Sequence, residues 1–184
     1  AIVSHLGKAE LLATTWNGNL FNIFMTAFLG LAVGTTVVVA RAYGIKAAST
    51  VKTVFVVSSV LSTGLGFVIG FIGYFFAEPF FTYFYAGAEQ EVLEKSVLFA
   101  QMTLPCLGFV AGEAAIVGAI RGVGNNKMPF YFSIAINLSN IAISYMLVYG
   151  FYLPEIGYIG AAIGVNIARA IGFAFSAIYA AFYN

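Results

Sequence analysis

Long apolar stretches alternate with short polar breaks along the chain. Residues 11–40, 53–77, 96–120, 129–153 and 156–183 are almost wholly apolar, and each reaches the length of about 20 residues that a helix needs to cross a bilayer. The strands of a membrane barrel are runs of about ten residues alternating apolar and polar; these runs, rich in Gly and Ala, do not alternate. The pattern predicts an all-α bundle of about five transmembrane helices. Its sharpest break lies within EAAIVGAIRGVGNNKMPFYF, residues 113–132. There one apolar segment ends at Ile120, glycines and an Asn-Asn pair make a turn with Arg121 and Lys127 at its exits, and Pro129 opens the next helix where its missing N–H costs little. This is the tip of a hairpin at a membrane surface.

Within the runs, polar and small residues recur at helical spacing. Thr15, Asn19, Asn22 and Thr26 form a stripe in the first run that continues as Gly30 and Gly34, and that face is expected to turn inward. Ser59, Thr63, Gly66, Gly70 and Gly73 do the same in the second run, and Gly157, Gly160, Gly164, Ala168 and Gly172 in the last. Small residues let helix backbones approach closely, so packing seams explain most of this. Side-chain amides are different, because in hydrocarbon each must find a partner or face a wet cavity. The fourth run concentrates them: Ser133, Asn137, Asn140 and Ser144 stand at i, i+4, i+7 and i+11 on one face. They either bond to neighbouring helices or, with Asn19 and Asn22, form the polar half of a cavity. Asn166 and Arg169, three residues apart in the last run, point to the same region.

Composition narrows the class. With 61% hydrophobic and 8% charged residues and a mean hydropathy of +0.96, the chain cannot present a polar surface to water and is an integral membrane protein. The charges then orient it. The breaks at 41–52 and 121–127 hold Arg41, Lys46, Lys52, Arg121 and Lys127 and no acid, whereas the opposite ends hold Lys8, Glu10, Glu78, Glu89, Glu91, Glu94, Lys95 and Glu155. Short basic loops stay in the cytoplasm, so 41–52 and 121–127 are expected there, in a multi-pass protein of the cell (inner) membrane. Glu113 and Arg169 alone lie within spans. At about 1.5 Å per residue the two fall at one depth, and lone opposite charges inside a membrane are expected to lie close enough for a direct or water-bridged ion pair. The pair is then either a static clamp or the seat of a titrating Glu113.

Candidate chemistry is sparse. One cysteine, Cys106, lies in mid-span, so an intrachain disulfide and cysteine metal sites are excluded. His5 stands alone at an outer edge. No Ser-His-Asp set, phosphate-binding loop or CxxC pair occurs, so an enzyme is not expected, and neither a cofactor nor nucleic acid is implied. The opening AIVSHLG lacks the basic leader and apolar core of a signal peptide and reads as the outer end of a helix that begins earlier.

The segments IVSHLG, VVVARAYG (37–44), AEPFFTYFYAGAEQEVLE (77–94), TLPCLGF (103–109), AIRGVGNNKMPFY (119–131), NIAISYMLVYGF (140–151) and GYIGAAIGVNIAR (157–169) occur in an order that resembles the multidrug and toxic compound extrusion (MATE) transporters. The RGxGxxKxP turn joined to the Asn140 run and the later GxxGAA segment is the most specific part. The resemblance covers nearly the whole chain and implies a single transmembrane domain, residues 1–184, equivalent to the second to sixth of twelve helices. The first helix and the second lobe would be absent. It further implies a secondary active antiporter that exports cationic or amphipathic small molecules in exchange for protons or sodium ions, working with the missing remainder of the transporter or a partner chain. Asn140 matches a mid-membrane Asn of the family's cation site, and Asn137 with Asn140 are then possible sodium ligands. Ser144 stands where some members have Asp, a departure that bears on proton coupling. Two other readings stay open: a lipid-linked sugar flippase of the related superfamily, supported by Arg169 alone, and a non-transporting structural subunit of the membrane.

Overall fold

The computed structural model describes residues 7–149 and 157–182, all helix and short connections. His5, Glu155 and the expected helix ends beyond 149 and before 157 lie outside the described residues. Among the described residues five stretches are long and apolar enough to cross a membrane, so the protein is a multi-pass membrane protein. α1 (Lys8–Gly44) and α2 (Ala48–Phe84) form a long antiparallel hairpin of 37 residues each. That is about 55 Å of helix against a hydrocarbon core of about 30 Å, so both project beyond the apolar layer.

The turn between them closes in a defined way. The amides of Lys46 and Ala47 donate to the carbonyls of Tyr43 and Ala42, and Lys46 itself adopts a left-handed conformation, φ 57°. This is the pair of hydrogen bonds that satisfies the last carbonyls of a helix, in which Gly is the usual left-handed residue. The second basic break repeats it: Gly124, φ 86°, and Asn125 donate to Arg121 and Ile120. Asn125 then opens the next helix, its side-chain oxygen accepting from the amides of Lys127 and Met128 at 3.2 and 3.3 Å.

The third span departs from the expected continuous helix. α3 (Gln90–Thr103) gives way to a single 3-10 turn, Leu104–Cys106, before α4 (Leu107–Gly122). Pro105 causes the break, because it has no N–H to donate and its ring crowds the carbonyl one turn earlier. α4 is the centre of the molecule, packed on α1, α2 and α6, while α5 (Lys127–Tyr149) packs chiefly on α6 (Tyr158–Phe182). The approach of α1 to α4 is close enough that a Cβ on Gly118 would overlap the backbone of Ala32. Thr36 uses this proximity, its hydroxyl donating to the carbonyl of Gly118 at 2.8 Å. Phe28, Phe81, Leu104, Leu107 and Val110 fill the core among the first four helices.

At the end away from the basic turns, Lys95 bridges Glu10 and Glu91, and the Tyr158 hydroxyl donates to the Lys95 carbonyl at 2.7 Å. Trp16 stacks on Tyr85 there with ring centroids 4.0 Å apart, as amphipathic rings do at headgroup level.

Candidate functional site

The polar face of α5 is present as a row. The side chains of Ser133 and Asn137 are exposed, Asn140 is half-buried and Ser144 is buried against α6. Ser144 donates to the side-chain oxygen of Asn140 at 2.9 Å, and Asn137 donates to the carbonyl of Ser133 at 2.7 Å. The row therefore satisfies part of itself along one helix, and no bond among the described residues ties Asn137 or Asn140 to a different helix. What remains is amide hydrogen-bonding capacity at the surface of a membrane helix. Among the described residues no cluster of His, Cys, Asp or Glu could hold a metal.

Asn166 and Arg169 meet a different need. Asn166 donates its amide to the carbonyl of Met102 at 2.7 Å, and Arg169 donates to that of Thr103 at 3.1 Å. Both carbonyls belong to the last residues of α3, where the Pro105 break interrupts the helical ladder. The Arg169 guanidinium also lies over the Phe21 ring, 4.1 Å from its centroid, a cation–π contact with α1. The Asn166 side-chain oxygen is buried without a hydrogen-bond partner. The two residues thus brace the broken span.

The direct Glu113–Arg169 ion pair is not made: the ion pairs among the described residues are those of Lys95. Glu113 is half-buried on α4 with a carboxylate oxygen against Gly172 of α6, whereas Arg169 is turned to Thr103 and Phe21. Equal depth fixes a height in the membrane. The rotation of each helix about its axis decides whether two side chains at that height touch.

The first-run stripe needs a second correction. Asn19, Asn22, Thr26, Gly30 and Gly34 are exposed, and a Cβ at Gly30 or Gly34 would meet nothing within 4 Å. The inward face of α1 is instead Ala13, Asn17, Phe28, Ala32, Thr35, Val39 and Ala42. Asn17 was missed by the sequence reading. It is buried and donates to the carbonyls of Ala13 and Ser96 at 2.8 and 3.0 Å, tying α1 to α3; its register with Ala13, Ala32, Val39 and Ala42 was the available signal. The stripes on α2 and α6 do face inward, with Gly66 on α4 and Gly164 on α5, except for Gly157, which precedes α6 and where a Cβ would meet nothing within 4 Å.

The MatE family model matches residues 1–146, and the chain belongs to this family. A curated relative, the probable multidrug resistance protein YoeA of Bacillus subtilis (strain 168), is 26% identical over 161 residues, which are 87% of this chain and 34% of that protein. The chain thus spans about a third of that relative's length. Several solved structures share the fold. An inward-facing multidrug resistance MATE family transporter of the MOP superfamily superposes with a TM-score of 0.89 at 24% identity, covering 97% of this chain and 39% of its own. An outward-facing conformation of such a transporter gives 0.87 at 24%, over 97% and 38%.

Proposed function

We propose that the chain is part of a secondary active efflux antiporter for cationic or amphipathic small molecules, coupled to protons or sodium ions. The observation that carries this reading, beside family membership, is the polar row Ser133, Asn137, Asn140 and Ser144, whose first two members are exposed on a helix that crosses the membrane. Such a row is too costly against lipid and belongs on a water-accessible path. Asn19 and Asn22, exposed on α1, line the same path in this reading, and Asn137 and Asn140 offer amide oxygens to an ion or a polar substrate group. The turns at 41–52 and 121–127 lie in the cytoplasm. Alternating access needs two bundles rocking about a shared midplane site, so transport requires the remainder of the transporter or a partner chain.

The experiment is efflux of a fluorescent cationic dye from cells lacking their own exporters, with the full-length parent expressed. Asn140→Ala is expected to slow efflux several-fold at unchanged membrane insertion, and collapse of the proton or the sodium gradient identifies the coupling ion. Efflux at the wild-type rate in both Asn137→Ala and Asn140→Ala refutes the assignment of the row.

A further inference from the structure

The basic end of the bundle holds a groove that the transport reading does not use. Tyr43 at the end of α1, Lys52 and Phe55 at the start of α2, Ile120 of α4 and Ala180 of α6 are among the residues enclosing a cavity of about 450 Å³. That lies within the range of about 300–1,000 Å³ typical of small-molecule sites. Its floor is apolar, with Ile120 buried and Phe55 half-buried, and Tyr43 and Lys52 stand exposed at its mouth. A second hollow adjoins it, shares Tyr43 and is lined by Lys46.

The charge at this end is one-sided. Arg41, Lys46, Lys52, Arg121 and Lys127 have no acid among them in 41–52 or 121–127, and none is in an ion pair among the described residues. At the other end Lys95 is held by two glutamates. The groove therefore offers an apolar slot opening at a membrane surface beneath unneutralised lysines. A free anion would leave the slot unused, a zwitterionic lipid would gain little from the lysines, and a cationic substrate would be repelled.

We propose that this groove binds an anionic phospholipid, with one acyl chain against Phe55, Ile120 and Ala180 and its phosphate at Lys46 and Lys52. Basic pockets between membrane helices recognise anionic headgroups in this way, each lysine near the surface contributing about fivefold in affinity. The inference goes beyond the transport reading and does not depend on the α5 row.

The test is native mass spectrometry of the detergent-purified full-length protein, with phosphatidylglycerol, phosphatidylcholine of the same acyl chains, and inorganic phosphate as probes. Phosphatidylglycerol is expected to be retained at least fivefold better than phosphatidylcholine, with phosphate failing to displace it. Lys46→Gln with Lys52→Gln is expected to lower phosphatidylglycerol retention about 25-fold, and Ala180→Phe to lower retention of both lipids by narrowing the slot. Should the double variant fail to fold, Lys52→Gln alone carries the test with about a fivefold loss. Equal retention of the two lipids, retention unchanged in the lysine variants, displacement by phosphate, or an empty groove because another part of the full-length chain fills it overturns the proposal.

Discussion

Asn166 of α6 donates its side-chain amide to the backbone carbonyl of Met102, 2.7 Å away across the bundle. Three residues on, Arg169 does the same for Thr103, so two successive carbonyls beside the Pro105 break are satisfied from one face of one helix. Interhelical hydrogen bonds in membrane proteins average about 0.6 kcal/mol and reach about 1.7. Asn166→Leu should fall towards the upper end of that range, because it strips a half-buried carbonyl at a break. Reversible unfolding in mixed micelles measures this, and an unchanged midpoint would show that water or a different residue serves Met102 equally well.

Glu113 and Arg169 make no direct ion pair, so their removals should act independently. The expected coupling in a double-mutant cycle of Glu113→Gln and Arg169→Gln is within about 0.5 kcal/mol. The same cycle on Phe21→Leu and Arg169→Gln should give about 0.5–2 kcal/mol, the range for a cation over a ring. A coupling above about 1 kcal/mol between Glu113 and Arg169 would restore the pair and with it the static clamp.

Two glycines of similar helical setting should respond oppositely. A Cβ on Gly164 would meet the side-chain oxygen of Ser144 at 2.5 Å and its backbone at 3.0 Å, whereas one on Gly30 would meet nothing. Gly164→Val is expected to cost at least about 1–3 kcal/mol by forcing α5 and α6 apart and to disturb the Ser144–Asn140 bond. Gly30→Val should leave the stability of this lobe within about 0.5 kcal/mol. Thermal denaturation of the purified variants separates the two.

Lys46 holds a left-handed backbone conformation, φ 57°, that costs an L-residue about 1–2 kcal/mol. Lys46→Gly should therefore stabilise the α1–α2 hairpin by up to about that amount, less the entropy that Gly adds to the unfolded chain. A higher unfolding midpoint for Lys46→Gly than for Lys46→Gln checks this, since both remove the charge.

The membrane class, the number of spans and the two basic turns were legible in the chain alone. Each rests on a local property: the length of an apolar run, the exclusion of charge from hydrocarbon, or a turn rich in Gly and Asn followed by an early Pro. Family resemblance was legible for the same reason, since its motifs are short and contiguous. The α2 and α6 glycine stripes were also read correctly, because a closely packed seam demands small residues at helical spacing wherever it lies. The break at Pro105 was open to the same kind of reading from TLPCLGF and was passed over.

Tertiary structure alone decided azimuth and partner. Periodicity identified the Asn19–Asn22 stripe of α1 and pointed it inward, whereas the packing of Ala13, Asn17, Phe28 and Ala32 turned it away from this bundle. Depth placed Glu113 beside Arg169 in height, yet Arg169 went to a carbonyl and a ring instead. The reason is physical. A helical repeat sets spacing along an axis, whereas the rotation of each helix is settled jointly by all its neighbours, and the carbonyls exposed by a break enter that competition only once the chain has folded.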